Sequence, residues 1–218
     1  MFIGHFGVAL AAKKIAPRVS LGTLIFAAQF LDLLWPMFLL LGWEHVRIAP
    51  GITKVSPFDF FDYPISHSLL AAVGWSIAVA TGDFSFRRNR RAALVLGLAV
   101  LSHWILDFVT HRPDLPLWPG GPKVGLGLWN SWVASISSET VFFVGGLVGY
   151  VSITQAREKI GRYGFWSFMI FLVIAWIASL AAGAPPSTTA LAWSALSIWI
   201  TVLWGWWADS HRRVSPRA

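Results

Sequence analysis

The sequence predicts an all-α fold: a polytopic integral membrane bundle of about six transmembrane helices plus a short N-terminal helix. Three observations predict it. Apolar residues make up 56% of the 218-residue chain and charged residues only 12%, about half the roughly 25% of a soluble domain. The 14 tryptophans suit a membrane–water interface, where indole rings concentrate. The apolar residues also fall into six runs of bilayer-spanning length, for which roughly 20 helical residues are needed.

The first element is MFIGHFGVALAAKK. It is apolar before it is basic, the reverse of a secretory signal, and is expected to be retained. At about 12 apolar residues it is short for a span, so a partial, re-entrant helix is expected. The six longer runs follow at 20–42, 65–82, 92–110, 134–154, 165–183 and 188–208, with Gly and Pro in the gaps. Gly145 and Gly149 form a GxxxG in the fourth run, which predicts close helix packing.

Every second connection is basic: Lys13, Lys14 and Arg18, then Arg87, Arg88, Arg90 and Arg91, then Arg157, Lys159 and Arg162, then Arg212, Arg213 and Arg217. The positive-inside rule puts these segments and the C-terminus in the cytoplasm of a multi-pass cell (inner) membrane protein. Loops 43–64 and 111–133 then face the non-cytoplasmic side. The same logic makes SFRRNRR a topology signal, and the net charge of +7 a sum of cytoplasmic loops. Membrane lipids are the expected partners and nucleic acid is not. Residues 1–218 form one transmembrane domain: 1–140 carry the motifs, and 141–218 add spans and a cytoplasmic tail. With no cysteine, disulfides and thiolate ligands are excluded.

Ionisable groups inside spans are costly and mark interior cavities. Counting about 1.5 Å per helical residue from the basic ends, and from Asp83 for His67, Asp32 lies about 21 Å in, His103 about 18 Å, and Asp107 and His67 about 24 Å. Glu139 lies about 27 Å in and His5 about 12 Å. The fifth and sixth runs have no internal ionisable residue. His103 and Asp107 are four residues apart, so they share a helix face. His111, about 12 Å above His103, belongs to the membrane edge. Imidazole and carboxylate without thiolate suit zinc first, or manganese or iron(II). Three or four such ligands with an open position would lower the pKa of water there. Asp59 and Asp62 are read as loop or capping groups, and His45 and His211 as incidental. The loop DLPLWPGGPKVGLGLWNS with Lys123 is read as a plain loop.

His5 in GHFGVALA, Asp32 in QFLDLLWP, SHS at 66–68, and HWILDFVT followed by LWP resemble the YdjM-like family of predicted membrane-bound metal-dependent hydrolases, over about residues 1–120. The resemblance implies a divalent metal held by polar residues that match here at His5, Asp32, His67, His103 and Asp107. Two departures stand out. Leu31 and Leu34 occupy the Pro and second Asp of a P-D-x-D segment, and Asp62, Tyr63 and Pro64 replace the start of an H-R-G-x-T-H-S segment. One ligand is thereby lost, or Asp62 supplies an oxygen in its place.

The residues and the resemblance together predict metal-assisted hydrolysis of a phosphoester or lipid-linked substrate. His67, His103 and Asp107 are the expected ligands, Asp32 and His5 complete or support the site, and Glu139 or Asp62 is the candidate base. Two other readings stand beside it: a cation or proton transporter lined by the same groups, and a non-catalytic membrane protein whose polar cluster holds helices together.

Overall fold

The structure is a computed structural model and describes residues 1–215. Arg217, counted above in the basic tail, lies outside the described residues. The chain is mainly helical. α1 (Ile3–Ile15), α2 (Leu21–Ala28) and α3 (Phe30–Leu40) precede a β1–β2 hairpin (His45–Ile48, Phe58–Asp62) and a single turn, α4 (Pro64–His67). α5 (Leu69–Arg87) and α6 (Arg90–Thr110) form an antiparallel pair. A short β3–β4 ladder (Leu115–Pro116, Lys123–Val124) leads to α7 (Trp132–Ile153) and β5 (Thr154–Ala156). α8 (Lys159–Ala181), α9 (Thr188–Ala195), α10 (Ile198–Ser210) and β6 (Arg212–Val214) complete it.

Five helical segments are long and apolar enough to cross a membrane, and a sixth is counted if α2 and α3 are taken as one bent span. Their outer faces carry Leu70, Ile77, Leu94, Val141, Ile174 and Leu203, all largely exposed, as a lipid-facing surface requires. Side-chain caps start most of them: Ser20, Ser68, Asn89, Ser131 and Ser187 each accept from a backbone N–H three residues on, satisfying one of the orphan donors of a first turn.

The expected partial helix is α1, and it is the centre of the bundle. Nine of its 13 residues are buried, and it packs against α7, α2 and α6. Small residues permit this. The backbone of Gly7 lies against the backbone of Phe142 and Phe143, and Gly146 lies against Gly7, so a Cβ at either glycine would overlap main-chain atoms. Gly145 faces open space, and Gly149 makes only ordinary contact with Ala11. The close approach expected of Gly145 and Gly149 therefore belongs to Gly146, because α7 turns that residue toward α1.

The first long run is broken. α2 and α3 meet at 57° around Gln29, whose φ of −101° and ψ of 7° leave the helix. No Gly or Pro lies at the break; Pro36 falls later, inside α3. Neither polar atom of the buried Gln29 amide has a partner among the described residues. Non-helical backbone at such depth needs protein around it to supply hydrogen bonds, and the Ala28 carbonyl is taken by His103.

The basic segments gather at one end. There β5 pairs with β6, and the Arg212 guanidinium bonds Thr154 and Gly161 while lying 4.4 Å from the Phe165 ring. Lys13 donates to Asp209 (2.6 Å) and to the Val19 carbonyl, and Tyr150 donates to the other Asp209 oxygen (2.6 Å). The sequence reading placed no ionisable set in this half. It stopped the last span at 208, whereas α10 continues to Ser210 and carries Asp209 inward.

Gly146→Ala is expected to cost about 1–3 kcal/mol by overpacking against α1. Gly145→Ala should be neutral, or stabilising by up to about 1 kcal/mol from helix propensity. Thermal unfolding of the two variants in detergent reads the difference; equal midpoints would refute the assigned contact.

Candidate metal centre

Four segments bring the cluster together: the first turn of α1 (His5), the first turn of α3 (Asp32), α4 (His67) and the last third of α6 (His103, Asp107). Two overlapping sets, His5–His103–Asp107 and Asp32–His67–His103, have donor atoms all within 4.8 Å of one another. All five residues expected from the sequence as ligands are thus gathered at one place. His5, His67, His103 and Asp107 are at most 3% exposed. Asp32 alone is partly open, with 32% of its side chain accessible.

The spacing suits a small cation. His103 Nε2 lies 3.3 Å from Asp107 Oδ2 and 3.7 Å from Asp32 Oδ2, and His67 Nε2 lies 3.5 Å from Asp32 Oδ1 and 3.7 Å from Asp107 Oδ2. Ligands about 2.0–2.1 Å from a tetrahedral zinc ion stand about 3.3 Å apart. His103 Nε2 has no hydrogen-bond partner among the described residues.

The far nitrogens explain why these atoms are free. His103 Nδ1–H donates to the Ala28 carbonyl at 2.8 Å, which orients the ring and directs Nε2 at the carboxylates. Ser66 spends its one hydroxyl proton on Glu44 Oε2 (2.5 Å), so His67 Nδ1–H donates to Ser66 Oγ at 2.7 Å, again exposing Nε2. Glu44 is itself buried and held by the amides of Ile65 and Ser66, each at 2.7 Å. A partner of this kind on the second ring nitrogen orients metal-binding histidines. His5 differs: Nε2 lies 3.1 Å from Asp107 Oδ1, Nδ1 is unpartnered, and its ring stacks on His103 at 3.8 Å. The Met1 amino group also donates to Asp107 Oδ1, at 2.5 Å, while Oδ2 faces the other histidines.

The cluster forms part of the wall of a cavity of about 620 Å³, within the roughly 300–1,000 Å³ of ligand sites. Asp32, His67, Asp107, His111 and Glu139 line its polar side; Phe58, Phe60, Trp129, Trp176 and Leu191 are among its apolar walls.

Glu139 accepts the amides of Phe2 and Gly4 at 2.8 Å each. Expected as a candidate base, it caps the N-terminus of α1, where an anion is favoured. Asp62 is not brought to the cluster. It sits on β2, half exposed, and bonds His45 at 2.9 Å, because the strand pairing of the hairpin turns both side chains outward. His111 is buried rather than at an open edge. Asp114 holds its Nδ1 at 3.0 Å, its Nε2 lies 3.9 Å from Asp107, and Trp129 packs 4.0 Å from its ring. Burial and then the Asp114 carboxylate push the Tyr63 phenol well above its usual range, so Tyr63 remains a donor to Asp114.

Sequence reading missed Glu44, Ser66 and Asp114. Ser66 was visible beside His67 in SHS, but nothing in GWEH marks Glu44 as buried. The chain matches no protein-family model, no curated protein and no solved structure, so the site rests on its own geometry.

Ser66→Ala removes the acceptor for His67 Nδ1–H without touching a donor atom of the cluster. It is expected to weaken zinc affinity by about 10- to 100-fold, read by competition against a chromogenic chelator. An unchanged affinity would remove Ser66 and Glu44 from the site.

Proposed function

We propose that this protein is a membrane-embedded, metal-dependent hydrolase of a phosphoester or lipid-linked substrate, with zinc as the preferred ion. The observation that carries this reading is the convergence of three histidines and two aspartates from four segments, with His67 Nε2 and His103 Nε2 each 3.3–3.7 Å from oxygens of Asp32 and Asp107. A purely structural polar cluster would pair its members. Here His103 Nε2 stays unpaired among carboxylates 3.3 and 3.7 Å away. The proposal keeps the resemblance to the YdjM-like family as its reaction class.

His67, His103, Asp32 and Asp107 would hold the ion, and His5 would support Asp107. When bound, such an ion polarises a phosphoryl oxygen and lowers the pKa of water. The chain supplies the rest. The apolar walls limit water around the cluster. His111, held at Nδ1 by Asp114, is the cavity group fitted to pass a proton to a departing oxygen. Glu139 keeps the N-terminal turn of α1, and with it His5, against the site.

The proposed orientation puts the basic end in the cytoplasm and the hairpin end, with the cavity, on the non-cytoplasmic side. Because the chain has no cysteine, Arg88→Cys and Lys123→Cys each introduce one thiol. An impermeant maleimide added to intact spheroplasts should label the variant at 123 and not the one at 88. The reverse pattern would invert the proposed topology.

Protein purified without chelator is expected to contain stoichiometric zinc by elemental analysis. His103→Ala and Asp107→Ala should lose it while staying monodisperse and helical. A panel of phosphomonoesters, phosphodiesters and phospholipids should include a substrate whose turnover falls by about 100-fold or more on metal removal. Wild-type protein without stoichiometric metal would sink the reading. Metal together with ion flux in proteoliposomes, and no hydrolysis, would favour the transporter instead.

A further inference from the structure

The large cavity does not end at the cluster. A second cavity of about 200 Å³ adjoins it and shares Phe2, Asp32, Trp35, Ala175, Ser194 and Ser197 with it. From there it runs toward the middle of the bundle between α8 and the α9–α10 span, where Phe171, Leu172, Ile198 and Thr201 line it. Among the described residues, Asp32 at its upper end is its one ionisable lining residue.

The cleft exists because two antiparallel elements pack at one end only. Near the basic end, Gly164 meets the Trp207 ring, and Phe168 and Phe171 each lie 5.3 Å from Trp204. Above Trp204 the large contacts stop. α8 presents Ala175, and the opposite span presents Ser194, Ala195 and Ser197. At that level the opposite span also loosens. Ser197, Trp199 and Ile200 bond to carbonyls three residues back, at 2.9–3.2 Å, the tighter pattern that interrupts an α-helix. Phe171, Ser194 and Ser197, which line the cleft, are all accessible, as a cleft open sideways toward the surrounding hydrocarbon requires.

We propose that this cleft holds one hydrocarbon chain of an amphiphilic substrate that enters from the bilayer and carries its phosphorylated head into the cluster. This rests on the hydrolase reading for the head and adds the chain. The two cavities are in the right order for a membrane amphiphile: the one lined by Asp32, His67, Asp107, His111 and Glu139 lies toward the hairpin end, and the one with Asp32 alone among ionisable residues lies toward mid-membrane. At their junction, Trp35 Nε1 is buried and has no partner among the described residues. A soluble phosphoester would need no lateral opening and would leave the lower cavity empty.

The test uses the full-length protein in detergent and hexadecyl phosphate carrying a diazirine midway along its chain. After irradiation, label is expected on residues 171–175 and 194–201. Excess hexadecyl phosphate should displace it, and inorganic phosphate should not. Ala175→Phe and Ser194→Phe, which fill the cleft from opposite sides, should each cut this labelling by about tenfold or more. That corresponds to excluding two methylenes, at about fourfold each. Both variants should keep wild-type metal content, which checks their fold. Label spread equally over the lipid-facing surface of α5 and α6, or labelling unchanged in both variants, would overturn the chain site. If the mapped label persists in a protein with neither metal nor turnover, the hydrolase reading fails and the chain site stands. Metal and turnover with diffuse label would have the opposite meaning.

Discussion

An ionised carboxylate buried in an apolar bundle must be met by positive charge and hydrogen bonds, and Asp107 is the group that imposes this condition here. Its two oxygens divide the surroundings. Oδ1 faces the Met1 amino group and His5, while Oδ2 faces His67, His103 and His111 at 3.3–3.9 Å. α1 must therefore end beside α6, α4 must turn His67 inward, and a second carboxylate, Asp32, must be kept partly open to the cavity. Two carboxylates and three histidines gathered in this way form a group that could hold a metal ion.

The same condition explains two features that look unfavourable alone. α1 is too short to span a bilayer, yet it occupies the centre, because only there can its N-terminus reach Asp107 and Glu139. Glycine-to-glycine contact with α7 allows it to fit. The break at Gln29 forfeits helical hydrogen bonding and exposes the Ala28 carbonyl. His103 takes that carbonyl, and the hydrogen bond orients its ring. A break that would be a defect in an isolated helix becomes the means by which α2 orients a ligand and α3 delivers Asp32.

Much of this was legible in sequence, for a geometric reason. Helical rise is fixed, so residue counts from basic ends became depths, and depth alone grouped Asp32, His67, His103 and Asp107. Span positions followed from apolar run length, and the alternation of basic connections matches their collection at one end. What was hidden depends on rotation and on hydrogen bonding across segments. Gly145, Gly146 and Gly149 are equivalent as letters, and only the angle of α7 selects Gly146. Glu44 is one acid in a loop until the turn at 65–66 folds over it. Asp62 looked able to replace a missing ligand, but strand pairing committed it to His45. Gln29 carries none of the usual marks of a helix break.

The position of the cluster also bears on what the molecule can do. A conduit for protons or cations needs polar groups or water from one face to the other. One to two turns from the cluster toward the basic end, α1 offers Phe6 and Leu10, α2 offers Leu24 and Ile25, and α6 offers Leu96 and Val100, each at most 1% exposed. The next charged pair, Lys13 with Asp209, lies beyond them and is internally satisfied through Tyr150 and the Val19 carbonyl. Polar access runs the other way, into the cavity under the hairpins, and apolar access runs sideways between α8 and α10. Among the described residues, both routes lead to the cluster. On the proposed hydrolase reading, such one-sided access is what a site requires where a molecule arrives and is changed.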